Sequence, residues 1–440
     1  MEIKLSTTSM EDVPSRRPQP VRRITSYMCT FTIVVCVVAW IANFDYGYAG
    51  IVLAMPAFNT AFGEYQTVPG SASPVCRLSA LQQSLTSLGS LFQGVGAVLA
   101  GITGSYLGRR GTIVTGCLLV IVGDAGMLGT WSSYTEYMVF KSISNIGIGE
   151  LLVAGINYGA ECAPANKRGL LMRLYNICLA IRNVASAAVY AGSATMSTSN
   201  NWQWKTPIAC QSPLSLALGC AILLFPDSPR WLLVKGREDQ ARRALSKFSG
   251  LDPKSDAITR QIHDIQRYIE AEDSAAETSS WIEIYRGPDL RRTLVSASVL
   301  VGLVLIGIQF VVPYTALFLE DVGLKNPLVT NVIISVCILV GSFLGPFIVE
   351  YGGRRFALLC GYSVMASSML IFSVVSSGIG AESPVSHIVL VAFLCIWSFA
   401  FGAFVSPSAW LASAEMHSVR LRTYGQANTT LLSSTFGFAA

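Results

Sequence analysis

Eleven stretches of this chain are apolar enough, and long enough, to require a bilayer, and that requirement fixes most of what it can fold into. Lipid offers the backbone no hydrogen-bond partner, so each crossing needs a helix of about 20 mainly apolar residues. Such segments lie near 30–53, 83–105, 112–131, 137–159, 170–192, 206–225, 294–318, 329–349, 356–377 and 389–412, and one more starts near 425. Charge is scarce to match. Only 13% of the 440 residues are charged, where a soluble domain carries about 25%. The pattern predicts an all-α, multi-pass membrane protein embedded in a lipid bilayer.

The net charge of +5 does not point to nucleic acid, because the basic residues sit between apolar blocks rather than on one face. With the N-terminus in the cytosol, the inner pieces hold Lys4, Arg16, Arg17, Arg22 and Arg23, then Arg109 and Arg110, then Lys167, Arg168 and Arg173. Twelve more lie in 226–292, followed by Arg354, Arg355, Arg420 and Arg422, while only Arg77, Lys205 and Lys325 fall near the outer side. The positive-inside rule therefore sets the orientation. The plasma membrane is the expected location. Residues 1–26, with arginines and prolines but no apolar core, read as a disordered cytosolic tail and not as a cleaved signal peptide. Only Cys76 lies clearly in an outer loop, so no outer disulfide can be drawn within the chain.

The polar stretch 226–292 divides the chain into a bundle of spans one to six, residues 27–225, and a second one, residues 293–440. Within the divider, 237–270 has Ala and Leu at helical spacing and predicts short amphipathic helices, and the acidic residues 270–277 predict a looser segment. Each half carries the same element after its second span: Gly-Ser-Tyr-Leu-Gly-Arg-Arg at 104–110 and Glu-Tyr-Gly-Gly-Arg-Arg at 350–355. A second echo follows each fourth span, where Glu161 precedes Arg168 by seven residues and Glu415 precedes Arg422 by seven. Paired elements at matching places are the signature of a duplicated six-helix unit. The second half is short, holding spans seven to ten and part of eleven. A helix ending at Gly437–Ala440 would leave carbonyls in hydrocarbon, so the expectation is a fragment, a truncated product or a last segment that does not insert.

The segment Pro226-Asp227-Ser228-Pro229-Arg230-Trp231-Leu232, both Gly-Arg-Arg turns, and Glu161-Cys-Ala-Pro164 with Arg168-Gly169 together resemble the sugar porter family of the major facilitator superfamily, particularly its fungal members. Asp45 with Gly50, Leu53-Ala-Met-Pro-Ala-Phe58, and Trp410 five residues before Glu415 add to the likeness, which covers roughly 30–435. The resemblance implies the superfamily fold, two six-helix bundles about a central site, here with about 11 of 12 spans. It also implies a cytosolic latch, for which Arg109, Glu161, Arg168, Glu350, Arg354, Glu415 and Arg422 are the candidates; for the arginines, simple positive-inside anchoring is the alternative.

Departures from the family accompany the likeness. Ser105 replaces the aspartate of the first Gly-Arg-Arg motif, Leu303 and Val304 stand where a Gln-Gln pair holds sugar hydroxyls, and Lys141 replaces the fourth-span arginine. The fifth-span glutamine becomes Asn176, and Gln309 stands where the family has asparagine. By motif position Asn176, Gln309, Tyr314 and Trp410 are the candidate substrate-binding residues. Asn and Gln can donate to and accept from hydroxyls, and an indole offers a face to a sugar ring. Interhelical hydrogen bonds and core packing are the alternatives.

Asp45 lies about 27 Å along its helix from the inner end, and Lys141 about 30 Å, at 1.5 Å per residue. In proton-coupled sugar porters an aspartate at the first position pairs with an arginine at the second, so Asp45 and Lys141 are the expected proton-coupling pair. Protonating Asp45 would break it and bias a two-state motion. A static buried pair is the alternative. Asp124, Glu150 and Arg182 form a second intramembrane group, all about 16–20 Å from the inner boundary. A lone charge there is costly, so Arg182 is expected to be neutralised by Glu150 or Asp124, either as packing or as a receiver of anionic cargo.

No catalytic constellation is present. His263, His387 and His417 are read as lying in separate soluble loops without metal spacing, and no metal or cofactor is expected. Gly94-Val-Gly96 and Gly147-Ile-Gly149 fall inside spans, where small residues serve close helix packing rather than phosphate binding. The sequence thus points to a non-enzymatic secondary transporter of a sugar or related polyhydroxylated solute, with protons as the expected co-substrate. Carriage of an organic acid or other metabolite, and a non-transporting receptor or defective truncated product, remain the alternatives.

Overall fold

The computed structural model describes residues 26–44, 52, 55–66, 75–85, 88–130, 133–163, 168–198, 200–277, 281–308, 311, 315, 318–319, 327–378, 384–417 and 421–439. Asp45, Gln309 and Tyr314 lie outside these ranges, as do the side chains of Arg168, Glu415 and Arg422. The first bundle contains α1 (Ser26–Phe44), α2 (Pro56–Phe62), α3 (Ala80–Leu85), α4 (Leu88–Gly129), α5 (Tyr134–Cys162), α6 (Arg168–Ser193) and α7 (Trp202–Ile222). Three polar-segment helices follow, α8 (Pro229–Val234), α9 (Glu238–Ser249) and α10 (Asp256–Glu277). The second bundle contains α11 (Gly287–Leu303), α12 (Pro327–Gly378), α13 (Pro384–Ala400), α14 (Ala409–Met416) and α15 (Arg422–Ala439).

Among the described residues six helices are long and apolar enough to cross a membrane, and two of them, α4 of 42 residues and α12 of 52, are about double length. At 1.5 Å per residue a straight 50-residue helix would reach about 75 Å, against about 30 Å of hydrocarbon. Each therefore bends back at one glycine. Gly108 in α4 has φ +79° and ψ 176°, and Gly353 in α12 has φ +76° and ψ 162°, a region that only glycine occupies without strain. The pairs of spans read at 83–105 with 112–131 and at 329–349 with 356–377 are the legs of these two bent helices.

The legs pack through small residues. A Cβ on Gly96 would stand 2.0 Å from the Ile146 carbonyl oxygen, and one on Gly149 would stand 2.1 Å from that of Gln93, so α4 and α5 meet backbone to backbone. The second bundle repeats the contact. There a Cβ on Gly402 would come within 2.3 Å of the Ile338 oxygen, and one on Gly341 within 2.5 Å of that of Phe399. Gly96 and Gly149, which resemble parts of a phosphate loop on paper, are packing residues.

Phe31, Val35, Ile113, Leu151, Tyr158 and Leu218 centre one core of the first bundle, and Phe58, Phe62, Tyr137 and Trp204 build a second from tilted and edge-on rings 4.9–5.8 Å apart. The second bundle closes around Leu300, Met365, Leu394 and Trp397. Single π-helical turns interrupt it at Val304–Ile308 and Phe401–Val405. Such turns free a carbonyl, and Trp397 Nε1 donates to the Ile306 oxygen at 3.2 Å.

Three local readings change. Residues 270–277 continue α10 rather than forming a looser segment: Ala and Glu favour helix, and Ile258 and Ile262 anchor its start against Leu245 of α9. Between α2 and α3 lies a two-stranded hairpin, Glu64–Gln66 antiparallel to Val75–Arg77, too short for a hydropathy pattern to register. His263 lies exposed on α10 within the polar segment, whereas His387 lies within the apolar helix α13 and His417 is buried just past the end of α14, so these two are not soluble-loop residues.

Candidate functional site

At one end of the first bundle three separate sequence motifs converge. The bend at Gly108 leaves the next two amides pointing out of the helix, and Asp227 receives them: its Oδ1 accepts from the N–H of Arg109 at 3.0 Å and of Arg110 at 3.4 Å. The same oxygen takes the Ser228 N–H at 2.7 Å. Burial pushes the Asp227 carboxyl above its ordinary range, against the opposing pull of these amides and of the Arg110 charge. Arg109 then reaches Glu161 at the end of α5, with Nη2 2.9 Å from Oε1 and Nε 3.2 Å from both oxygens. Such a fork-to-carboxylate match fixes orientation as well as charge. Ser228 caps α8, where Pro229 occupies the first turn, and its hydroxyl donates to Glu161. Tyr158 donates to the Pro226 carbonyl at 2.6 Å and Arg110 to that of Phe225 at 3.3 Å. The cluster ties the α4 bend, the end of α5 and the start of the polar segment into one unit.

A single described ion pair crosses between the bundles. Arg173 of α6 meets Glu350 of α12 with Nη2 3.0 Å from Oε2, both side chains more than half or about half exposed. The sequence marks Glu350 as a latch residue, whereas Arg173 carries no motif and reads only as one of several inner basic residues. Nor does the sequence mark Asp227 and Ser228 as structural acceptors, although both lie in its most specific motif. Arg109 and Glu161 pair within one bundle, so they brace it rather than bridging the two. Arg354 is exposed beyond the second bend.

Deeper in the first bundle, Lys141, Asp124, Glu150 and Arg182 are all nearly fully enclosed, at 2%, 0%, 2% and 3% exposure. Asp124 accepts from Ser144 at 3.1 Å and Ser212 at 3.2 Å. Glu150 accepts from Thr115 at 2.8 Å and Thr103 at 3.3 Å, hydroxyls on the two legs of α4. Of the two partners expected for Arg182, Glu150 or Asp124, Glu150 turns its oxygens to α4 rather than to α6. Depth along a helix does not fix the face a side chain takes. Glu150 and Lys141 are nine residues apart, half a revolution at 3.6 residues per turn, so they leave opposite faces of α5. Of the expected binding residues, Asn176 is half-buried on α6, and Trp410 at the start of α14 keeps 48% of its surface exposed. Gln309, Tyr314 and Asp45 fall outside the described residues.

Known proteins share both sequence and shape with this chain. A high-affinity fructose transporter of Schizosaccharomyces pombe is 26% identical over 397 residues, covering 89% of this chain and 74% of that one. A high-affinity gluconate transporter of the same yeast is 25% identical, covering 91% and 72%. The xylose transporter XylE from E. coli, in a partially occluded inward-open conformation, superposes with a TM-score of 0.74 at 20% identity, covering 94% of this chain and 92% of that one. That likeness shows the fold, which is that of the major facilitator superfamily. The model of the family described as "Sugar (and other) transporter" matches residues 31–440, and the chain belongs to that family of multi-pass membrane transporters.

Proposed function

We propose that the protein is a secondary active transporter that moves a sugar, or a related small polyhydroxylated solute, across the plasma membrane by alternating access coupled to protons. The family match over residues 31–440 carries this reading, and the names of the relatives give sugars as the solute class. The N-terminus is cytosolic in this reading, so the Arg109–Glu161 cluster and the Arg173–Glu350 pair lie on the inner side. Asn176, Gln309, Tyr314 and Trp410 bind the solute, and the two bundles part at the Arg173–Glu350 contact when the site opens inward. Arg168, Glu350, Arg354, Glu415 and Arg422 complete the latch around that contact.

Asp45 and Lys141 carry the coupling. A buried ammonium is costly in lipid, and the 2% exposure of Lys141 supports a charge partner within the bundle. A second reading has one specific support. Arg182 is a buried cation at 3% exposure, and a relative is named for gluconate, so a sugar acid is the alternative cargo. Uptake into liposomes holding the purified chain, with glucose, fructose and gluconate at pH 5.5 and 7.5, tests both. Faster sugar uptake at the acidic outer pH, lost in Asp45→Asn and Lys141→Gln, is the expected result. Uptake of gluconate alone, abolished by Arg182→Gln, transfers the assignment to the acid. No uptake of any of the three rejects the proposal.

A further inference from the structure

A cavity of about 640 Å³ opens beside the charge cluster, where the second leg of α4, the end of α7 and the amphipathic helix α9 meet. Its volume is that of a small-ligand pocket, and its walls differ sharply in chemistry. One wall is the membrane end of the spans: Leu107, Val114 and Leu223 line it, and Leu107 and Leu223 are each about half exposed. Leu224, beside it, is 78% exposed, so this wall continues into the lipid-facing surface. The opposite wall comes from α9 and the residue before it and presents Arg237, Arg243 and Lys247, with Arg110 at the α4 side.

The charge in this cavity is unbalanced. Asp227 is its one lining carboxylate, and that group already accepts three backbone amides. Among the described residues no carboxylate lies within ion-pairing distance of Arg237, Arg243 or Lys247. Arg237 is instead held over the Trp231 ring, 5.9 Å from its centroid, which keeps its cation directed along the rim. Arg110 has the Asp227 carboxyl beside it, but Arg237, Arg243 and Lys247 repel one another unless a further anion sits among them. A solvated basic face would spread such charges outward over a convex surface. Here they surround a concavity whose other side is greasy.

We infer that this cavity binds the headgroup of an anionic phospholipid, the phosphate lodged among Arg110, Arg237, Arg243 and Lys247 and the acyl chains lying over Leu107 and Leu223. Basic pockets between spans at the inner leaflet take such headgroups, and an apolar floor continuous with the bilayer distinguishes a lipid from a soluble phosphate. The occupant joins α9 to the α4 bend. Because α9 also packs on α1 through Phe248 and Phe31, with ring centroids 4.8 Å apart, the bound lipid steadies the first bundle at its inner end.

Native mass spectrometry of the purified full chain tests this, with dioleoyl phosphatidylserine, dioleoyl phosphatidylcholine and inorganic phosphate as probes. The expected result is retention of phosphatidylserine at least about tenfold tighter than phosphatidylcholine, weakened roughly 30-fold by Arg243→Gln with Lys247→Gln, since each basic residue near the surface contributes about a factor of five. Both side chains are exposed, so the pair of changes leaves the fold intact. Arg260→Gln with Arg267→Gln removes the same charge from α10, outside the cavity, and is expected to leave retention unchanged. Equal losses in the two double variants would overturn the site in favour of general charge attraction. Inorganic phosphate displacing the lipid at millimolar concentration would overturn the lipid assignment.

Discussion

At the first Gly-Arg-Arg turn Gly108 has φ +79°, and at the second Gly353 has φ +76°, so one short sequence makes one backbone bend twice. Their surroundings differ. Asp227 covers the first bend, Glu161 grips Arg109, and the side chains of that pair are only 25% and 12% exposed. At the second, Tyr351 is 89% exposed, and Glu350 reaches across to Arg173 of the other bundle. The motif sets the bend, and residues far away in sequence decide what each bend touches. The braced turn belongs to the bundle that carries the polar helices. The second turn supplies the described contact between bundles, and the exposure of that pair makes it weak.

The largest expected effect separates the two glycines. Gly108→Ala and Gly353→Ala each carry backbone strain of about 1–3 kcal/mol, but a Cβ at Gly108 would also stand 2.2 Å from Asp227 Oδ2, whereas one at Gly353 meets nothing within 4 Å. Thermal unfolding in detergent is expected to show Gly108→Ala as the more destabilised by at least about 2 kcal/mol, because the amide contacts to Asp227 go as well. Equal shifts would erase the distinction between the turns. Next comes the carboxylate at each turn. Glu161→Gln removes the charge that Arg109 and Ser228 share, at an expected cost of about 2 kcal/mol, while Glu350→Gln is expected to cost under about 1 kcal/mol. A reversed order in the same assay contradicts the comparison.

Smallest is the crossing pair itself. A double-mutant cycle on Arg173→Gln and Glu350→Gln is expected to give a coupling of about 0.2–1 kcal/mol. Raising the salt to 1 M should remove it, as the Debye length falls to about 3 Å. A coupling that survives high salt would mean a buried, permanent contact.

The sequence made the spans legible because lipid enforces length and hydropathy on each of them separately. It also made the Gly-Arg-Arg bends and the Glu161 partner visible as spaced motifs. Glu350–Arg173 was not visible: 177 positions separate the two residues, and only the packing of α6 along α12 brings them together. The direction Glu150 takes was hidden for another reason. Rise per residue gives depth, but the face a side chain takes depends on rotation, and Glu150 turned toward Thr103 and Thr115 on the α4 legs. The basic cavity was hidden for a similar reason, since Arg110 and Lys247 belong to segments that hydropathy treats separately.

The proposed function requires the two bundles to separate at the Arg173–Glu350 end during each cycle. A short bifunctional thiol cross-linker applied to Arg173→Cys with Glu350→Cys in liposomes measures that directly, with the wild-type chain treated alongside to account for its eleven native cysteines. Sugar uptake is expected to stop in proportion to the cross-linked fraction and to return when a cleavable linker is reduced. Uptake that continues undiminished with nearly all of the protein cross-linked would show that the bundles do not part there.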